Sequence, residues 1–194
     1  MKNASILSTL VLIVIISYVY PTVATKQTVF AQQTAKSNTN FVAYENSTYG
    51  IKLQYPSNWD KEENGTRQDT QTDVVTFFPP AINSNASLDI SIDDISAEKG
   101  IALSQYANNS ISDMKQSLKS FKLVGLTTNN LLSGLPEYKS IYSYADQNTI
   151  FKGMEIGAIK SDKAYILSYE AGTNEYDKYL PIIQQLINSF QITK

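Results

Sequence analysis

Three groups of side chains in this sequence have types that do chemistry. The first is acidic: Asp89, Asp93, Asp94 and Glu98 fall within one short stretch. On a strand, Asp89 and Asp93 share a face but lie about 13 Å apart, at about 3.3 Å per residue. One ion cannot bridge that span, because calcium–oxygen bonds are about 2.3–2.6 Å long. Asp93 and Asp94 with a loop carbonyl could form a weak site for a hard cation. There is no D-x-D-x-D-G loop, so the simpler expectation is a solvated face. The second group is Asp60, Glu62 and Glu63, beside Lys61. Two carboxylates can act as acid and base on a glycosidic bond when about 5–9.5 Å apart. Sequence spacing does not set that distance, and carboxylates ordinarily lie exposed. The third group is aromatic, among 13 tyrosines. Tyr138, Tyr142 and Tyr144 fall on one face of a strand, with Tyr165 and Tyr169 beside them. Exposed, such a wall could bind a glycan, a quinone-like ring or a protein. The commoner outcome, and the expectation here, is that the rings pack beneath the last helix with Tyr176 and Tyr179.

The residue types that are missing narrow the field further. The 194 residues include no histidine and no cysteine. This removes Ser-His-Asp and Cys-His catalysis, imidazole and thiolate metal ligands, iron–sulfur clusters and disulfides. Arg67 is the only arginine and the formal charge is −2. A nucleic-acid binder normally carries a basic face, so that class is disfavoured. No phosphate-binding loop is present. Gly153 and Gly157 sit inside a strand pattern and mark a bulge or close packing. No catalytic residue, cofactor ligand or metal ligand is assigned.

The elements that position these groups alternate between periods of two and about 3.6. Phe41–Glu45 and Tyr49–Tyr55 read as strands around an Asn46-Ser47-Thr48 turn. Pro56-Ser57-Asn58 ends the second, and Trp59 follows as a core anchor. Asp60–Thr72 reads as a loop, Val74–Phe78 as a strand and Leu88–Ile92 as a half-buried strand. Leu103, Ala107, Ile111, Met114 and Leu118 form one stripe of a helix over 101–119. Phe121–Thr127 and Asn130–Ser133 look extended, with a turn at Gly134. Strands over 135–145, 150–160 and 163–171 follow as an antiparallel meander. A last helix spans 174–190, with Asn174 as its N-cap and Pro181 either opening the main helix or kinking it. The sum is an α+β domain. About six or seven strands form a largely antiparallel sheet, packed by two main helices as an α/β/α sandwich.

Three segments precede and make up this domain. Residues 1–31 have the pattern of a secretory signal peptide: Lys2, then the apolar run Leu10–Ile16, then a small-x-small cleavage site at Val29-Phe30-Ala31, preferred over the one at Thr22-Val23-Ala24. A retained membrane anchor is the alternative, since roughly 20 apolar residues span a bilayer. Residues 32–39 form a polar linker and residues 40–194 the domain. Either reading of the leader places the domain outside the cytoplasm. Four N-x-[ST] sequons, at Asn46, Asn64, Asn85 and Asn108, are candidate glycosylation acceptors compatible with export.

Several stretches then match a known pattern. Tyr49-Gly50-Ile51-Lys52-Leu53-Gln54-Tyr55-Pro56-Ser57-Asn58-Trp59 resembles the opening signature of the PsbP-like superfamily. Gly134-Leu135-Pro136-Glu137-Tyr138 resembles its central turn. The run from Ala164-Tyr165-Ile166-Leu167-Ser168-Tyr169, through Tyr176-Asp177-Lys178-Tyr179, to Asn188-Ser189-Phe190 resembles its last strand and helix. The resemblance implies an α/β/α sandwich and an adaptor or accessory role rather than an enzyme. The closer likeness is to secreted prokaryotic, particularly archaeal, members. No functional residue of the photosystem proteins maps onto this chain by position.

These observations set the expectation. The domain is an exported, non-enzymatic accessory or adaptor that binds a protein or cell-envelope component, without a cofactor and without nucleic acid. It would touch a membrane only through an uncleaved N-terminal segment. The alternative is an extracytoplasmic carrier of a small ligand or calcium.

Overall fold

The computed structural model describes residues 39–63, 70–82 and 84–193. The leader, nearly all of the linker and the sequon at Asn64 lie outside the described residues.

Period-two alternation builds the framework. Phe41–Asn46 (β1) and Ile51–Pro56 (β2) pair as an antiparallel hairpin. Its turn is held by the Asn46 Oδ1, which accepts the Thr48 and Tyr49 amides at 3.1 and 3.2 Å. Gly50 follows at φ 66°, a conformation that glycine takes without steric cost. Asp60–Glu62 (β3), Gln71–Phe78 (β4), Ser87–Asp94 (β5), Lys122–Leu132 (β6), Leu135–Asp146 (β7), Thr149–Lys160 (β8) and Lys163–Gly172 (β9) form a seven-stranded sheet. Its order is β3-β4-β5-β9-β8-β7-β6, and every pairing is antiparallel. Leu103–Ser117 (α1) and Tyr176–Ser189 (α2) lie on opposite faces.

The two faces have opposite chemistry. Under α2 the sheet is apolar: Phe77, Leu88, Ile90, Leu167, Tyr169 and Ile156 are buried there with Tyr176, Ile183 and Leu186 of the helix. Burying each such aliphatic or aromatic side chain contributes about 1.5–3 kcal/mol, so this face holds the fold together. Trp59 joins the same core at 6% exposure, with its ring edge-on to Tyr179 at 6.0 Å. The hairpin also packs here, through Tyr44 and Tyr55 against Phe77. The face under α1 carries a small apolar cluster of Ile95, Ala164 and Ile166, packed by Ile101 and Tyr106, and is otherwise largely polar. Ser91, Ser140 and Glu155 are buried on it and Asp93, Ser168 and Glu170 are half-buried. Of the expected α1 stripe only Ala107 is fully buried; Leu103, Ile111, Met114 and Leu118 are half-buried. The helix covers the β6–β8 part of its face and leaves the β5–β9 part open.

Several elements differ from the sequence reading. The first hairpin does not join the main sheet. It forms a three-stranded sheet with Gln191–Ile192 (β10), a strand too short to carry a period. Ser189 Oγ at the end of α2 accepts the Gln54 amide at 2.8 Å and fixes the hairpin to the helix. The 60–72 stretch is not all loop: β3 occupies Asp60–Glu62 and β4 begins at Gln71. β6 runs unbroken from Lys122 to Leu132, with register irregularities where two segments were expected. Asn174 does not cap α2. The cap position is Glu175, without a side-chain bond, and the helix runs on through Pro181.

Candidate functional site

The open part of the polar face and the near side of α1 enclose a cleft of about 880 Å³. Six carboxylates line it: Asp89, Asp93, Glu98, Asp113, Glu155 and Glu170. No lysine or arginine does, among the described residues. Its floor is set by register. Thr76, Asp89, Ser168, Glu155 and Ser140 are successive cross-strand partners on β4, β5, β9, β8 and β7. A polar residue at that position in five neighbouring strands makes a continuous polar row across the sheet.

Two glycines shape the tyrosine side of the cleft. Tyr142 on β7 stands opposite Gly153 on β8, which stands opposite Glu170 on β9. A Cβ on Gly153 would overlap the Tyr142 ring, so glycine leaves room for the ring to lie over β8. The Tyr142 hydroxyl then reaches across to donate to Glu170 Oε1 at 2.8 Å. Tyr144 donates to the other oxygen of Glu170, also at 2.8 Å. Tyr138 repeats the device over Gly157, and its hydroxyl donates to Glu155 Oε1 at 2.6 Å. Both glycines therefore mark close packing rather than a bulge.

α1 is attached to this floor by polar contacts. Ser110 Oγ donates to the same Glu155 Oε1 at 2.6 Å. Tyr106 donates to Asp93 Oδ2 at 3.3 Å, and its ring centroid lies 6.2 Å from that of Tyr138. Three cleft carboxylates, Asp93, Glu155 and Glu170, thus accept from neutral hydroxyls. Hydroxyl donors solvate a carboxylate without cancelling its charge.

The electrostatics follow from this arrangement. Burial pushes the Glu155 carboxyl above its ordinary value; the Ser110 and Tyr138 bonds pull it back, and the charge of Glu170 adds to the rise. Burial raises the Tyr138 and Tyr142 hydroxyls well above the usual tyrosine range, and the carboxylates they touch raise them further. These phenols stay protonated as donors. Two polar atoms in this region are buried with no hydrogen-bond partner, Asp93 Oδ1 and Ser140 Oγ.

The structure sorts the candidates read from the sequence. Asp89, Asp93 and Glu98 all line the cleft. Asp94 does not: it is exposed, and its Oδ1 accepts the Ser96 amide at 2.9 Å. The Asp93–Asp94 pair is thus split between two sides of β5. Among the described residues no three His, Cys, Asp or Glu side chains converge to hold a metal ion. Asp60, Glu62 and Glu63 are all exposed, and Glu63 is paired with Lys61 at 2.7 Å. The tyrosines separate into two sets. Tyr165, Tyr169, Tyr176 and Tyr179 belong to the core under α2. Tyr138, Tyr142 and Tyr144 do not lie beneath that helix; they face the α1 cleft. Of the sequons, Asn85 and Asn108 are exposed, while Asn46 is half-buried with its amide Nδ2 donating to Tyr44 at 3.3 Å. Glu155 and Glu170 were missed by sequence reading. Their signal is an acidic residue at a regular inward position of a long strand that is apolar for most of its length.

Comparison with known proteins places the fold. No curated protein matches the chain. The cyanobacterial PsbP (CyanoP) from Synechocystis sp. PCC 6803 superposes with a TM-score of 0.61 at 13% identity, over 81% of this chain and 95% of that one. LpqN of Mycobacterium tuberculosis, described as involved in cell envelope biogenesis, gives a TM-score of 0.59 at 14% identity, over 81% and 92%. The Saccharomyces cerevisiae Ran-binding protein Mog1p gives 0.54 at 10% identity, over 80% and 97%. These likenesses establish the shared fold. The family description "PsbP-like protein" matches residues 4–192, nearly the whole sequence, and the chain belongs to the PsbP-like family.

Proposed function

We propose that this chain is an exported, non-enzymatic PsbP-like module that binds a protein of the cell envelope through the carboxylate cleft. One observation carries the reading: a sheet face in the middle of a sandwich is polar, acidic and only partly covered by its helix. Covering a face with a helix normally calls for apolar residues beneath it. Here buried Glu155 occupies such a position, where its charge costs folding stability, and half-buried Asp93 and Glu170 stand on the open strands beside it. A buried charge that costs stability at the wall of a concave, acidic surface is best explained by binding. The export reading draws on the leader pattern and on the envelope role printed for LpqN. Among the described residues no helix is long and apolar enough to cross a membrane.

The test is recovery of a partner by the full chain, carrying a C-terminal tag, from the envelope fraction of its own organism. A stoichiometric protein that is retained by the native chain and lost with Asp93→Asn/Glu170→Gln supports the reading. Recovery of nothing, or of a protein indifferent to that double substitution, removes it. The carrier reading has one observation of its own: the cleft volume lies within the range of about 300–1,000 Å³ typical of small-ligand sites.

A further inference from the structure

Resting on the cleft as the binding surface, we infer that its occupant is an extended, lysine- or arginine-bearing segment of the protein partner. The charge on three of the cleft carboxylates is the first ground. Asp93, Glu155 and Glu170 line one cavity and accept hydrogen bonds from Tyr106, Ser110, Tyr138, Tyr142 and Tyr144, all neutral donors. Among the described residues no cationic side chain bonds to any of these three.

The second ground is independent of the charge count. Glu155 is only 9% exposed, yet it lines the cleft, and both of its bonds go to Oε1. No described residue bonds its Oε2. Asp93 repeats the pattern: Tyr106 meets Oδ2, while Oδ1 is buried without a partner. A buried carboxylate ordinarily has a cation or a full set of donors. These two have one oxygen served from within the fold and one left over. A donor entering the cleft completes Glu155, and a charged donor does so best, while Asp93 Oδ1 is closed to solvent and Asp93 contributes its charge.

Geometry selects a chain over a point charge. Asp93 pairs with Ala164 on β9, Glu155 with Ser168, and Glu170 lies two residues beyond Ser168. At about 3.3 Å per residue, the carboxylates spread over about 20 Å along the strands. No single ion reaches all three, and no three acidic side chains converge among the described residues. An extended peptide of about six residues spans that distance, and side chains on one of its faces recur about every 6.6 Å. Alternate lysines or arginines would reach successive carboxylates. The tyrosine hydroxyls keep those carboxylates oriented before the ligand arrives, which lowers the ordering cost of binding.

The probe is an N-acetylated, C-amidated hexalysine peptide, titrated calorimetrically into the full chain at low and moderate salt. Hexaglutamate and spermine serve as comparison ligands. Saturable one-to-one binding of hexalysine is expected, weakened by salt. Glu155→Gln/Glu170→Gln should weaken it about tenfold or more, the scale of one charge-assisted hydrogen bond. Asp60→Asn/Glu62→Gln makes the same change in net charge on exposed β3 and should leave it unchanged. Equal weakening by both pairs would reduce the effect to overall charge and overturn the proposal. So would the absence of saturable binding, or spermine binding without hexalysine binding, since the ligand would then be a free polyamine. The two readings fail separately. A partner that needs the cleft, together with hexalysine that does not bind, sinks only the basic segment. Hexalysine held by the cleft, together with a partner indifferent to it, sinks only the proposed surface.

Discussion

At the scale of single residues, the site depends on two absent side chains. Gly153 and Gly157 are buried on the central strand β8, and each lies beneath a tyrosine ring of β7. Glycine inside a strand costs stability through lost packing and greater chain entropy, so its presence here calls for a local reason. The reason is the Tyr138 ring over Gly157 and the Tyr142 ring over Gly153. Gly157→Ala places a methyl group inside the space of the Tyr138 ring, which is 0% exposed and cannot swing out. Overpacking of this kind costs about 1–3 kcal/mol. Chemical denaturation should show that loss. The Tyr138–Glu155 bond should weaken with it, visible as a change in the hydrogen-bond-sensitive tyrosine bands of the Raman spectrum. A neutral substitution would mean that the ring has another place to go, and that the glycine is not what positions it.

At the scale of elements, the two edges of the main sheet are guarded very differently. β3 is three residues long, all exposed, and reads Asp60-Lys61-Glu62, a short charged edge that discourages pairing. β6 at the other edge is 11 residues long. It carries Leu123, Val124, Leu126 and Leu131, four of the exposed large hydrophobic residues among those described. Its register irregularities twist part of that edge away, but the apolar residues remain a template for another strand. Val124 is 68% exposed, so Val124→Lys should leave unfolding stability within about 0.5 kcal/mol. It should also slow aggregation near the melting temperature, followed by light scattering; unchanged aggregation would acquit this edge. The elements themselves were largely legible. The meander of β7, β8 and β9 follows from long period-two runs with tight turns between them, and the two helices from their stripes. β10 and β3 were not legible, because two or three residues hold no period and form only where a neighbour offers a free edge. The separate small sheet was hidden for the same reason: β2 looks the same whether its partner is β4 or β10. The cleft was half legible. The alternation of Asp89, Ser91 and Asp93 against Leu88, Ile90 and Ile92 announced a polar face. Which tyrosines joined it depended on cross-strand register, which the sequence of one strand does not carry.

At the scale of the whole molecule, the cleft sets stability against binding, and pH separates the two. Glu155 is faced by Ser110 and Tyr106 from α1, Tyr138 and Tyr142 from β7 and Glu170 from β9, while Asp89 and Asp113 line the same cleft. Burial is the main cause of its raised carboxyl value, and Glu170 adds to it. In the unfolded chain a glutamate titrates near about 4.3. A carboxyl raised on folding binds its proton more tightly in the native state. Its contribution to stability is therefore fully present below the unfolded value and is lost as pH rises through the folded one. At neutral pH native Glu155 weighs against the fold. Glutamine mimics the protonated form and still accepts from Ser110 and Tyr138 through its carbonyl oxygen. Glu155→Gln should therefore raise the melting temperature at pH 7.5, and the gap to the native chain should close as pH falls below about 4. The same substitution should weaken hexalysine binding, since it removes the charge that a cation would meet. A protein that would be more stable without a carboxylate, yet binds worse without it, has the signature of a functional residue held against the preference of the fold. A Glu155→Gln chain that is less stable than the native one at every pH would instead make the Ser110–Glu155–Tyr138 contact a structural clasp, and the binding role would then pass to Asp93 and Glu170.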